Sequence, residues 1–219
     1  MKSLAKLLLI FGLIINPIVL CAQSDSLKIN KKANPYIGID AFNPVYGLFT
    51  DKKGIEGLIT YPITHKIHIA LEGGYEENIY DYNNWLASAS GPYVRLGGQY
   101  FVSQDDKNPN MGYYVGARLG YSKYKQTVDS FIILGNNGDN ETSSLPEHDA
   151  SAFWVEPLAG GRVQVLQSPF YIDASVRLKI RASASNDYGI DPLIIPGFGT
   201  DQSSLAIGVN WSIGYALPF

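Results

Sequence analysis

The chain has 219 residues, 46% hydrophobic and 17% charged, with a formal net charge of −3. That balance excludes a disordered polymer, and it excludes a binder of nucleic acid that works through excess positive charge. A single cysteine, Cys21, excludes a disulfide framework, while 15 tyrosines and 22 glycines suit a barrel with aromatic girdles.

Residues 1–22 read as a secretory signal peptide, with Lys2 and Lys6 ahead of an apolar run from Leu7 to Leu20 and cleavage after Ala22. Asn16-Pro17 interrupts the run, which falls short of the ~20 residues a spanning helix needs. Leu20 is too large for the position before a lipidated cysteine. Residues 23–34 form a polar leader, and 35–219 form the folded domain.

From Tyr36 onward, large apolar residues alternate with small or polar ones, the period of a β-strand. Strands are expected at 36–42, 55–63, 67–75, 92–102, 112–124, 152–165, 170–181 and 205–219. Pro157 cannot donate to a ladder, so a bulge or a start near Leu158 is expected in the sixth. The last strand, "LAIGVNWSIGYALPF", alternates without a break, and its second face carries no charge.

Expected connections after the second, fourth and sixth strands are short: "THK", "SQDDKNPN" and "QSP". Those over 43–54, 76–91, 125–151 and 182–203 are longer. Short turns alternating with long loops on an even number of strands is the plan of an outer-membrane barrel. The expectation is therefore an all-β, eight-stranded antiparallel up-and-down transmembrane β-barrel in the cell outer membrane, in contact with its lipid.

On the apolar phase Lys123 is the exception, placed where it can snorkel to an interface. Tyr61, Tyr75, Tyr100, Tyr113, Tyr121, Trp211 and Tyr215 share that phase. The opposite phase holds Asp40, Glu56, Glu72, Glu156 and Asp173 together with Arg95, Arg118, Arg162, Arg177, Lys179 and Arg181. Eight strands leave a lumen only wide enough for side chains, so near-equal charges are expected to pair and plug it. The alternative is a narrow conduit, with Arg177, Lys179 and Arg181 as a basic ladder attracting anions.

In plan the chain resembles small eight-stranded barrels of the OmpA/OmpX type without a periplasmic domain. "DKKGIEGLITY", "IHIALEGGYE", "YVGARLGYSKYK", "FWVEPLAGGRVQV", "DPLIIPGFG" and "WSIGYALPF" are similar to an uncharacterised outer-membrane barrel family of Bacteroidota over about residues 35–219. That likeness implies fold and location but no activity. Resemblance to outer-membrane barrels also makes Trp211, Tyr215 and the terminal Phe219 the strand signature that the barrel-assembly machinery reads, with Pro218 a departure from the usual pattern.

No constellation points to catalysis, cofactor or metal. The likeness to eight-stranded barrels raises a lipid A-modifying enzyme, for which His148, Glu147 and Ser143 or Ser144 are the one set that can be drawn. They are neighbours in an expected loop, so a solvated surface is the preferred reading. "GNNGDNE" at 135–141 lacks the ligand spacing of a calcium loop. In the fourth loop, Leu193, Ile194, Ile195 and Phe198 are apolar where solvent is expected, as a lid over the mouth or a contact surface. Phe131, Ile132, Ile133 and Leu134 are either its packing partner or an extension of the fifth and sixth strands into a raised hairpin. The expected role is non-enzymatic, structural or surface-interacting.

Overall fold

The computed structural model describes residues 33–41, 52–82, 85–134, 140–186, 188, 191–200 and 204–217. Among these described residues ten strands form: β1 (Tyr36–Asp40), β2 (Lys52–Pro62), β3 (Ile67–Tyr82), β4 (Trp85–Gln104), β5 (Gly112–Leu134), β6 (Asn140–Gln164), β7 (Phe170–Asn186), β8 (Ile194–Ile195), β9 (Gly199–Thr200) and β10 (Leu205–Ala216). Eight of them close a barrel in the order β1-β10-β7-β6-β5-β4-β3-β2, every pair antiparallel, while β8 and β9 make a small hairpin of their own. Closure runs from Tyr36↔Ala216 to Asp40↔Ser212 and leaves neither terminal strand as an open edge along these pairs. The signal peptide, Phe219 and residues 135–139 of "GNNGDNE" lie outside the described residues.

Alternation dictates what each face meets. Ile67, Ile69, Leu71 and Tyr75 of β3 point outward and are exposed, whereas His68, Ala70, Glu72 and Glu76 point inward and are buried. The same division holds on β2, β4, β5, β6, β7 and β10. Outward charge begins only at Lys53 and its cross-strand partner Glu77, and at Lys123. From that level down to the short turns, the outward positions of the described strands carry none. No helix long and apolar enough to cross a membrane occurs among the described residues.

Two connections expected as long loops are mostly strand. β3 runs on to Tyr82 and pairs with β4 from Trp85, leaving only 83–84 between them. β5 and β6 extend to Leu134↔Asn140 as a raised hairpin. The period of two continues there through Glu76, Asn78 and Tyr80, but with polar residues in the apolar places. Ala87, Ser88, Ala89 and Ser90 alternate in burial with alanine inward and serine outward, the reverse of the order lower on the strands. Irregularities near Leu86/Ala87 and between Gln126 and Phe131 further blur the pattern.

Pro157 produces neither a bulge nor a strand start. β6 passes straight through it; the pairing to β7 lapses between Val155↔Ile180 and Leu158↔Arg177 without a change of register, and the shift in this pair falls earlier, between Phe153 and Trp154. Side-chain oxygens close the short turns: Thr64 Oγ1 accepts from Ile67 N at 3.0 Å, and Asp105 Oδ1 accepts from Lys107 N and Asn108 N, both at 2.9 Å.

Candidate functional site: a charged lumen

All eight barrel strands send side chains to the middle of the lumen, where three carboxylates meet three arginines. Glu72 of β3 receives Arg95 Nη1 at 2.8 Å, Arg118 Nε at 3.0 Å and Arg177 Nη1. Glu56 of β2 receives Arg95 Nη1 at 2.9 Å and the Tyr93 hydroxyl at 2.7 Å. Glu156 of β6 accepts from Trp154 Nε1 at 2.6 Å and pairs with Arg95 Nε at 3.2 Å. Asn210 of β10 reaches both Asp40 and Glu56 at 3.4 Å. Burying any of these charges alone is prohibitive, and shared partners are what make the arrangement tolerable.

Toward the short turns lies a second layer. Arg162 Nε pairs with Asp173 at 2.8 Å, Asp173 also accepts from the Tyr114 hydroxyl at 2.6 Å, and the guanidinium sits 3.8 Å from the centre of the Tyr36 ring. Phe101 packs between Tyr114 and His68, with ring centres 5.5 and 4.8 Å away, and Tyr36 meets Tyr171 edge-on. The 105–111 turn folds beneath. Asn108 Nδ2 donates to the Tyr171 hydroxyl and to Gln164, and Asn110 Oδ1 accepts from Asn34 N, each at 2.8 Å.

Toward the long-loop end, part of the fourth connection folds inward over the lumen residues. Ile195, Pro196, Gly197 and Phe198 make a tight turn closed by Phe198 N donating to Ile195 O at 3.1 Å, with Gly197 at φ +81°. Proline followed by a residue at positive φ is the demand of a type II turn. The Gly197 carbonyl accepts from Lys179 Nζ at 2.7 Å and Arg95 Nη2 at 3.1 Å, while its N–H donates to Glu76 Oε2 at 2.9 Å. A Cβ at Gly197 would stand 2.6 Å from the Tyr93 ring. Ile194, Ile195 and Phe198 are buried in one cluster with Tyr93, Tyr124 and Trp154, whereas Leu193 is only partly buried.

Asp40, Glu56, Glu72, Arg95, Arg118, Glu156, Arg162, Asp173, Arg177 and Lys179 are all buried in the lumen, but in separate layers. Arg177, Lys179 and Arg181 do not act as one ladder. Arg177 faces Glu72 and Glu156, Lys179 faces lid carbonyls, and Arg181 stands higher, near Asp191 at 3.6 Å and Ser204 Oγ at 2.9 Å. Sequence reading passed over Glu76, Lys52, Tyr36, Tyr93, Tyr114 and Trp154. All but Lys52 are buried lumen residues, and the signal was present: Glu76 continues the phase of Glu72, and Tyr93, Tyr114 and Trp154 share the phase of Arg95, Arg118 and Glu156.

His148 is buried, with Nδ1 3.1 Å from the Pro146 carbonyl and its ring edge against Tyr188, while exposed Glu147 pairs with Lys125 at 2.5 Å. Ser143 lies opposite Phe131, five positions along β6 from His148 and ~16 Å away at strand rise. The drawn Ser/His/acid set is thus not brought together. Among the described residues no three His, Cys, Asp or Glu side chains group as a metal site. Trp211 and Tyr215 lie on the outward phase of β10, where Tyr215 meets Phe170 edge-on at 5.6 Å.

No curated protein matches the chain. Among solved structures, CarO of Acinetobacter baumannii is similar at 10% identity and a TM-score of 0.39, over 84% of this chain and 98% of that one. At those values the fold assignment stands on the strand pairing described above. The profile of a domain of unknown function, DUF6048, matches residues 2–219, and the chain belongs to that family.

Proposed function

We propose that the protein is an outer-membrane β-barrel with a sealed lumen, serving a non-enzymatic structural or surface-interaction role. The observation that carries this is the pairing of a charge-free apolar outer band, below the level of Lys53, Glu77 and Lys123, with an interior layered with paired charges. The outward apolar stretch of β3, Ile67–Tyr75, is nine residues long, which fits the ~9–11 residues a tilted spanning strand uses. Outward tyrosines near its two limits suit the interfaces. Above it, the β3–β4 and β5–β6 hairpins rise into the aqueous phase as the surface a partner would meet.

Export by a cleaved signal peptide over residues 1–22, and recognition of Trp211, Tyr215 and Phe219 by the assembly machinery, belong to the same reading. So does the likeness in plan to OmpA/OmpX-type barrels and to a Bacteroidota family. A conduit would require the Gly197 turn to withdraw and the Arg162–Asp173 layer to part. Planar-bilayer recording separates the two: a sealed barrel gives no stable current steps, and reproducible unitary steps would overturn the sealed lumen.

A further inference from the structure

The connection between β6 and β7 differs from the other two short ones. Those carry exposed charge, Lys66 in one and Asp105, Asp106 and Lys107 in the other. Leu166, Gln167, Ser168 and Pro169 carry none. Ser168 N donates to Val165 O at 3.1 Å, and Leu166, the first residue between them, has a φ of +54°. Positive φ at that place is the demand of a type II′ turn, where glycine is favoured. Only Leu166 and Ser204 take it among the described non-glycine residues. A leucine side chain crowds its own backbone in this conformation, at a cost in free energy. The chain offers hardly any contact to offset it, because Leu166 is 90% exposed.

The polar groups of this turn are directed into the protein. Val165 O accepts from Ser168 Oγ at 2.6 Å as well as from Ser168 N, and Ser168 O accepts from Gln164 Nε2 at 2.6 Å. Phe170 O accepts from Val165 N at 2.9 Å, and Pro169 O from Ala216 N at 3.2 Å. Pro169 itself has no N–H to leave unpaired. Carbonyls satisfied in this way can leave water without losing a partner. What faces out is mainly apolar and joins the outward phase. Tyr113 of β5 lies opposite Gly161, and beyond that pair β6 still presents exposed Val163, then Leu166, before exposed Phe170 opens β7. The apolar band thus runs on through this turn, whereas the other two interrupt it with charge.

We propose that the Leu166 turn is an interfacial anchor, entering the acyl boundary of the leaflet on the short-turn side while the two charged turns stay in water. The proposal rests on the barrel lying in a membrane, as inferred above. The partner is lipid because the apolar tip is uncharged and continuous with the surface that faces the acyl chains. Burial of Leu166 there offsets the strain of its backbone. An anchor on one side of the barrel fixes its lean in the bilayer.

The test uses the mature chain folded into phosphatidylcholine vesicles with no other protein present. Leu166→Asn is the deciding variant, because asparagine tolerates positive φ better than leucine does. On a solvated turn it relieves strain and raises the urea midpoint. On a turn buried in lipid it loses apolar contact and lowers the midpoint, which is the expected result. An unchanged or raised midpoint overturns the proposal, and it is also what a turn made for a periplasmic protein would give. A second measurement places a bimane label on Leu166→Cys or Asp106→Cys, in a chain that has no other cysteine from Gln23 onward. Brominated phosphatidylcholine should quench the label at 166 and aqueous iodide the label at 106; equal quenching of both by iodide overturns the anchor. Trp211 emission is read in the same brominated vesicles. A quenched Trp211 beside an iodide-exposed label at 166 refutes the anchor and leaves the membrane reading standing, whereas an unquenched Trp211 brings both down.

Discussion

Glu72 is buried and accepts three arginines, and no other lumen carboxylate among the described residues has as many ion pairs. Its charge is the counterweight to Arg95, Arg118 and Arg177 together, so neutralising it strands buried cations. Glu72→Gln should lower the unfolding free energy in urea by about 3 kcal/mol, the scale for breaking a buried pair. Glu147→Gln, which loses only an exposed contact to Lys125, should change it little. Gly197 is the other residue with no substitute. Its φ of +81° and the Tyr93 ring 2.6 Å from a notional Cβ both forbid a side chain. Gly197→Val should therefore expel the turn while the barrel stays closed. Limited proteolysis would then cut within 191–200 in the variant and spare the parent chain, with the heat-modifiable band of the folded barrel unchanged.

The inserted hairpin of β8 and β9 is held by two kinds of force. Ile194, Ile195 and Phe198 bury apolar surface on Tyr93 and Trp154, and the two ends of the Gly197 peptide satisfy Arg95, Lys179 and Glu76. The apolar run made a lid readable from sequence, but its polar grip was not, because a backbone carbonyl leaves no trace in composition. Strand positions were legible wherever the outward phase meets an apolar surround, since there hydropathy and pleat agree. They were lost over 76–91 and left open over 125–151, where Phe131–Leu134 allowed a raised hairpin, because Glu77, Asp81 and Asp129 interrupt the outward apolar phase and the period of two persists mainly in burial. If those hairpin ends are peripheral to the barrel, replacing Ser130–Ser144 with Asn-Gly, a dipeptide suited to a tight hairpin, should leave folding into vesicles and the urea midpoint nearly unchanged. A chain that no longer folds would show that the raised hairpin holds the wall together.

At the scale of the whole molecule, hydrophobicity is inverted relative to a water-soluble domain. Ion pairs, tyrosines and a folded-in turn fill the centre, and isoleucine, leucine and valine cover the outside. Such a surface is stable only against hydrocarbon, since exposed apolar patches on soluble monomers rarely exceed a few hundred Å². Inward alternation explains why the lumen charges could be read in advance as a set. Their division into an upper network around Glu72 and a lower one around Arg162 could not be, because cross-barrel contacts such as Arg177 with Glu72 depend on stagger that one sequence does not encode visibly. Trp211 and Trp154 sit on opposite sides of this wall, the first outward and the second fully buried within. The most direct measurement is therefore tryptophan emission of the chain folded into vesicles containing brominated phosphatidylcholine, compared with its Trp211→Phe variant. Strong quenching that disappears in the variant is the expected result; an unquenched Trp211 in a chain that stays compact and monomeric without detergent would contradict it.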